Sequence, residues 1–117
     1  MLAGLIALVV QAASDWTLLT WSEERGVSIY AQPSRTPNSV WVGTEFDNGI
    51  EELYSERSLQ EVDCDLWRRR DLQITAYVGT NLTGDSFDVP TDGAWEYPVP
   101  ESLGESVLLY HCDGVGR

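Results

Sequence analysis

The sequence of 117 residues predicts an α+β fold: a mainly antiparallel β-sheet with one C-terminal helix packed on a sheet face and tied to it by a disulfide. Three observations predict it. Short runs rich in β-branched and aromatic residues recur along most of the chain, separated by turn residues. One segment near the C-terminus has helical spacing behind a capping pattern. Two cysteines, Cys64 and Cys112, fall one in each region.

The chain opens on an apolar run, LAGLIALVV at residues 2–10. It is too short to cross a bilayer, which takes about 20 apolar residues, but it has the length of a secretory h-region. Val10 and Ala12 place medium and small residues at −3 and −1, so cleavage after Ala12 is expected, with Ala13 second. No Lys or Arg precedes the run. Residues 1–12 are thus expected to be a signal peptide and residues 13–117 a single domain. The exported chain resides in the periplasm or at the cell surface and is not an integral membrane protein.

Asp15–Trp21 suits a first strand. Glu23–Gly26 is a turn, and Val27–Ala31 a second strand. Gln32–Asn38 carries two prolines and is a loop. Ser39–Phe46 is a third strand, closed by a turn at Asp47-Asn48-Gly49. Ile50–Arg57 reads as a short helix or a polar excursion. Ser58–Val78 has a period-2 face of Cys64, Leu66, Arg68, Arg70, Leu72, Ile74, Ala76 and Val78, apolar at both ends and therefore core-facing. Arg68 and Arg70 interrupt it. Either the strand breaks or bulges there, or both arginines are partly buried against carboxylates. Gly79–Gly84 is a loop, Asp85–Val89 a short strand, and Thr91-Asp92-Gly93 a turn. Ser102-Leu103-Gly104-Glu105 matches a capping box, and Leu103, Val107 and Tyr110 follow at helical spacing. One helix over Leu103–Cys112 is predicted, ended by Asp113-Gly114.

Charge narrows the function. Seven basic against nineteen acidic residues give −12, and there is no Lys. Nucleic acid is excluded as a partner, because phosphate binding takes clustered Lys and Arg. In an exported chain two cysteines make one disulfide. Their wide separation, with His111 the only histidine, lacks the paired spacing of a zinc site. No metal and no cofactor are expected.

Other candidates have plainer readings. Glu51, Glu52 and Glu56 are spaced as a solvated acidic surface rather than a cation site. Asp85, Asp88 and Asp92 miss the spacing of a calcium loop. His111 has no Ser or Asp partner at recognisable spacing and suits a helix end. Asn81-Leu82-Thr83 is a sequon of a kind common by chance. Trp67 and Trp95 read as core residues before they read as a stacking pair. No catalytic constellation is visible, so an enzyme is not expected.

Three segments together resemble the surface-adhesin protein E-like family of small exported bacterial proteins. Val62-Asp63-Cys64 followed by Arg68 and Arg70 is similar to its D-C motif and downstream arginines. Leu72–Gly84 is similar to its strand running into a Thr-Gly loop. Trp95–Glu105, ending at Cys112, resembles its W…V-P-x-S…G-E…C ending. Trp67 stands where the family commonly has Arg. The resemblance implies an antiparallel sheet with a disulfide-tied helix, and an adhesin-like, non-enzymatic binding module that contacts a protein partner through its sheet or loops. The alternative is a periplasmic structural or accessory protein with a small-ligand groove between sheet and helix. The bridge should hold the helix over the sheet face bearing Cys64. Arg68 and Arg70 would then point to the helix side, where at least one pairs with Glu101, Glu105, Asp63 or Asp71.

Overall fold

The computed structural model describes residues 15–114, so the expected leader at residues 1–12 lies outside them. Six strands form one antiparallel sheet in chain order: β1 (Thr17–Ser22), β2 (Val27–Pro33), β3 (Ser39–Ile50), β4 (Leu53–Asp63), β5 (Arg68–Tyr77) and β6 (Ser86–Val89). A single helix among the described residues, α1 (Leu103–Asp113), closes the fold. Every connection within the sheet joins neighbouring strands, which short turns permit in antiparallel pairs.

Cross-strand register sorts the side chains onto two faces. Ala31, Val42 and Ser58 are successive neighbours across β2, β3 and β4, as are Ile29, Thr44 and Glu56. With Val40 and Val62 these residues face α1. The core is Ile29, Ala31, Val40, Val42 and Val62 beneath Val107, Leu108 and Tyr110 of the helix, with Leu108 fully buried. Leu19, Val27, Trp67, Leu103 and Cys112 pack around it.

Two elements depart from the sequence expectations. Ile50–Arg57 is neither helix nor excursion: β3 runs on to Ile50, and β4 starts at Leu53. The turn lies at Glu51-Glu52, both at positive φ, two residues beyond Asp47-Asn48-Gly49. The acidic composition of the segment hid a strand that only its pairing with Thr44 and Glu45 establishes. Ser58–Val78 is not one strand either. A turn at residues 64–67, with Trp67 at φ 53°, separates β4 from β5. A bulge opposite Leu59 and Gln60 leaves Leu72 unpaired.

α1 begins as its capping pattern predicts. The Ser102 hydroxyl accepts from the Glu105 N–H at 3.2 Å. The Glu105 carboxylate accepts from the Glu101 N–H at 2.8 Å, one residue before the position a capping box uses. Gly114 ends the helix in the left-handed region at φ 72°, donating to the Leu109 carbonyl. The Cys64–Cys112 disulfide, with Cα atoms 5.7 Å apart, ties the last turn of α1 to the β4–β5 turn.

Candidate functional site

Two places combine polar and apolar groups, one on each face of the sheet. The first is the face away from the helix. At its centre Tyr30, Gly43 and Arg57 are cross-strand neighbours, and Trp41 pairs with Leu59 in the next row. The Trp16 ring lies over Gly43, where a Cβ would stand 3.3 Å from it, so a larger residue there would have to push the indole aside. The Arg57 guanidinium sits 5.0 Å from the Trp41 ring centroid, and its buried Nε has no hydrogen-bond partner. The loop at residues 79–84 folds onto one end of this face. There the buried Ser55 hydroxyl donates to the Gly79 carbonyl and accepts from the Leu82 N–H, while the Glu45 carboxylate accepts from the Asn81 N–H.

At the other end stand the arginines that the sequence singled out. Arg69 is opposite the core residue Val62, so Arg68 and Arg70, on either side of it, project from the face away from the helix. They do not point to the helix side: the turn at residues 64–67 and the bulge at Leu72 shift the alternation of β5 against its neighbours. The chain around Glu96 pairs with Arg69 through two backbone hydrogen bonds and thereby lays Trp95 beside them. The Arg68 and Arg70 guanidinium groups lie 4.1 Å and 4.5 Å from the Trp95 ring centroid. Arg68 pairs with Asp63 at 2.9 Å and Arg70 with Glu61 at 2.6 Å. The turn N–H groups of Leu66 and Asp65, together with Arg68, hold the Asp63 carboxyl below its ordinary value. Glu105 joins none of these pairs, because its carboxylate is engaged at the helix start. A cleft of about 390 Å³ opens beside Trp95 among Glu61, Asp63, Cys64 and Asp65.

The second place is a groove of about 190 Å³ between the sheet and the first turns of α1. Ile29, Val42, Leu103 and Val107 form its apolar wall, and Thr44, Glu56, Ser58, Gln60, Arg69 and Asp71 its polar floor. Arg69 takes three acceptors: Gln60 Oε1 at 2.6 Å, Glu96 Oε1 at 2.6 Å and Asp71 Oδ1 at 3.2 Å. Burial pushes Asp71 above the ordinary carboxylate value despite Arg69. Burial and the nearby Asp71 charge push Glu56 upward as well. Sequence reasoning gave Arg69 no role, since strand parity beyond Cys64 is misassigned, and put Glu56 on a solvated surface, since the start of β4 reads as a helix or excursion. Glu56 shares no solvated surface with Glu51 and Glu52, which sit at the exposed hairpin tip.

The remaining candidates are dispersed. Trp67 packs against the core while Trp95 lies with Arg68 and Arg70, so the two indoles form no stacking pair. Asp88 and Asp92 are exposed and accept hydrogen bonds from Thr75 and Ala94. His111 lies in the last turn of α1. Among the described residues no group of three or more His, Cys, Asp or Glu side chains is placed to hold a metal ion. No described helix is long and apolar enough to cross a membrane.

The family model described as Surface-adhesin protein E matches residues 16–113, nearly the whole described chain. No curated protein and no solved structure matches it.

Proposed function

The chain belongs to the surface-adhesin protein E family, and from that premise we propose that it is an exported, non-enzymatic binding module whose open sheet face contacts a protein partner. Residues 1–12 are its cleaved leader and residues 13–117 its mature domain. The observation that supports this reading is the composition of the face away from α1. Trp16, Tyr30, Trp41, Arg57, Trp95 and the flanking arginines are half-buried there without a helix above them. Tyr, Trp and Arg dominate the energetic centres of protein interfaces. A chain at −12 favours a partner with a basic surface.

Two measurements test it. Antibody should reach the protein on intact cells; amine-directed labels find no Lys to react with. Adhesion of displaying cells should fall about tenfold or more in Trp41→Ala, the loss typical of an interface anchor. Antibody access only after permeabilisation, or full adhesion by the variant, would refute the reading.

The groove favours a second reading, a periplasmic accessory protein that holds a small ligand. What supports it is Glu56, a half-buried carboxylate with no ion pair, facing an apolar wall.

A further inference from the structure

We infer that the groove between the sheet and α1 takes a small protonated alkylamine. Its ammonium sits on the Glu56 carboxylate and the Thr44 hydroxyl, and its stem lies along Ile29, Val42 and Val107. The inference deepens the small-ligand reading of the groove and rests on it; it is independent of the open face.

The polar end comes from one cross-strand pair. Thr44 on β3 and Glu56 on β4 are directly opposed, which brings their Cβ atoms to about 5 Å. Thr44 is only 8% exposed, and Glu56 is half-buried. Neither side chain makes a hydrogen bond or ion pair with the other or with any described residue. The pair thus presents a carboxylate and a hydroxyl to the groove, open to a donor that enters it. Their neighbours offer no relief. Asp71 is already engaged by Arg69, and the Ser58 hydroxyl accepts from Gln60 Nε2 at 3.0 Å. The uncompensated negative charge of the groove is therefore at Glu56.

The chemistry of the occupant follows. An anion is repelled by Glu56 and finds Arg69 already committed to Asp71, Glu96 and Gln60. A divalent cation needs more oxygen ligands than one carboxylate and one hydroxyl supply. A guanidinium would turn several of its five donors toward the apolar wall. An ammonium needs three acceptors, which Glu56, Thr44 and one water provide. The opposite wall, built from Ile29, Val42, Leu103 and Val107, suits a saturated stem. The groove, about 190 Å³, suits a short stem rather than a long chain.

The test is methyl-detected NMR of the oxidised protein titrated with pentylammonium, with 1-pentanol and pentanoate as neutral and anionic counterparts. The expected result is saturable shifts at the Val42, Leu103 and Val107 methyls with pentylammonium alone. Glu56→Gln and Thr44→Val should each weaken the response, the first by about tenfold, the worth of one charge-assisted hydrogen bond. Glu52→Gln, at the exposed hairpin tip, should leave it unchanged. Should Glu56→Gln fail to fold, Glu56→Asp, which withdraws the charge by one methylene, should weaken binding in its place. Equal shifts with 1-pentanol would overturn the amine assignment and leave the groove a ligand site. No shifts with any probe would overturn both. Pentylammonium shifts indifferent to Glu56→Gln, or binding of a lysyl peptide but not of pentylammonium, would likewise overturn the proposal.

Discussion

Removing the Cys64–Cys112 bridge should cost a large fraction of the stability of this domain. The bridge closes a loop of 48 residues. Chain entropy alone assigns such a loop about 4 kcal/mol. The described domain is near 100 residues, whose unfolding entropy near its midpoint is roughly 0.2 kcal/mol/K. The Cys64→Ser/Cys112→Ser variant should therefore melt about 15–20 °C below the oxidised protein. Replacing both cysteines avoids a lone reactive thiol. The assay is thermal unfolding followed by near-ultraviolet circular dichroism of the tryptophans. Wild-type protein in reductant should match the variant, because Cys64 is exposed and a reductant reaches it without prior unfolding. A melting shift under about 3 °C would refute the argument. Burial of Val107, Leu108 and Tyr110 would then hold the helix unaided.

Two further outcomes follow from the groove and its surroundings. Arg69→Met should destabilise by about 3 kcal/mol, since it strips Asp71, Glu96 and Gln60 of a shared donor that is only 13% exposed; a urea midpoint within error of wild type would contradict it. The melting temperature should rise as pH falls from 7 toward 5, because Glu45, Glu56 and Asp71 have folded-state pKa values above their ordinary ones and so bind protons more readily folded than unfolded. Asp63, shifted downward, reverses the trend once pH falls through its ordinary value of 3.8 and below. Glu56→Gln should raise the neutral-pH melting temperature and flatten the rise, and a wild-type melting temperature that falls between pH 7 and 5 would refute the assignment.

What the sequence discloses here is local. β2, the start of β3, and α1 from Leu103 are legible because alternation, paired turn residues and Ser102–Glu105 act within a few positions. The disulfide is legible because two cysteines in an exported chain have one pairing. The start of β4 is not, because Glu51, Glu52 and Glu56 give Ile50–Arg57 a helix-like, solvated look that only non-local pairing overrides. Strand parity beyond Cys64 is not legible either. One turn and one bulge intervene between Val62 and Ile74, and each single-residue slip exchanges the faces. That is why Arg68 and Arg70 are assigned to the helix side and Arg69 passes unnoticed, whereas the Thr44–Glu56 pair is hidden by the misread start of β4.

The order of the sheet also bears on how the chain acquires its structure as it emerges from a ribosome or a membrane pore. Strands that neighbour in space in the order in which they appear can zip hairpin by hairpin, each waiting only for the next few residues. The helix breaks that rule. It is the last element to emerge, yet it packs on β1 and β2, the first two. Until residue 113 is free, the nascent sheet carries Ile29, Ala31, Val40 and Val42 uncovered. The partner of Cys64 also arrives only with that final turn. A protein of this design is therefore most vulnerable to aggregation during the interval between its fifth strand and its last dozen residues, when a holdase or an oxidant would matter most.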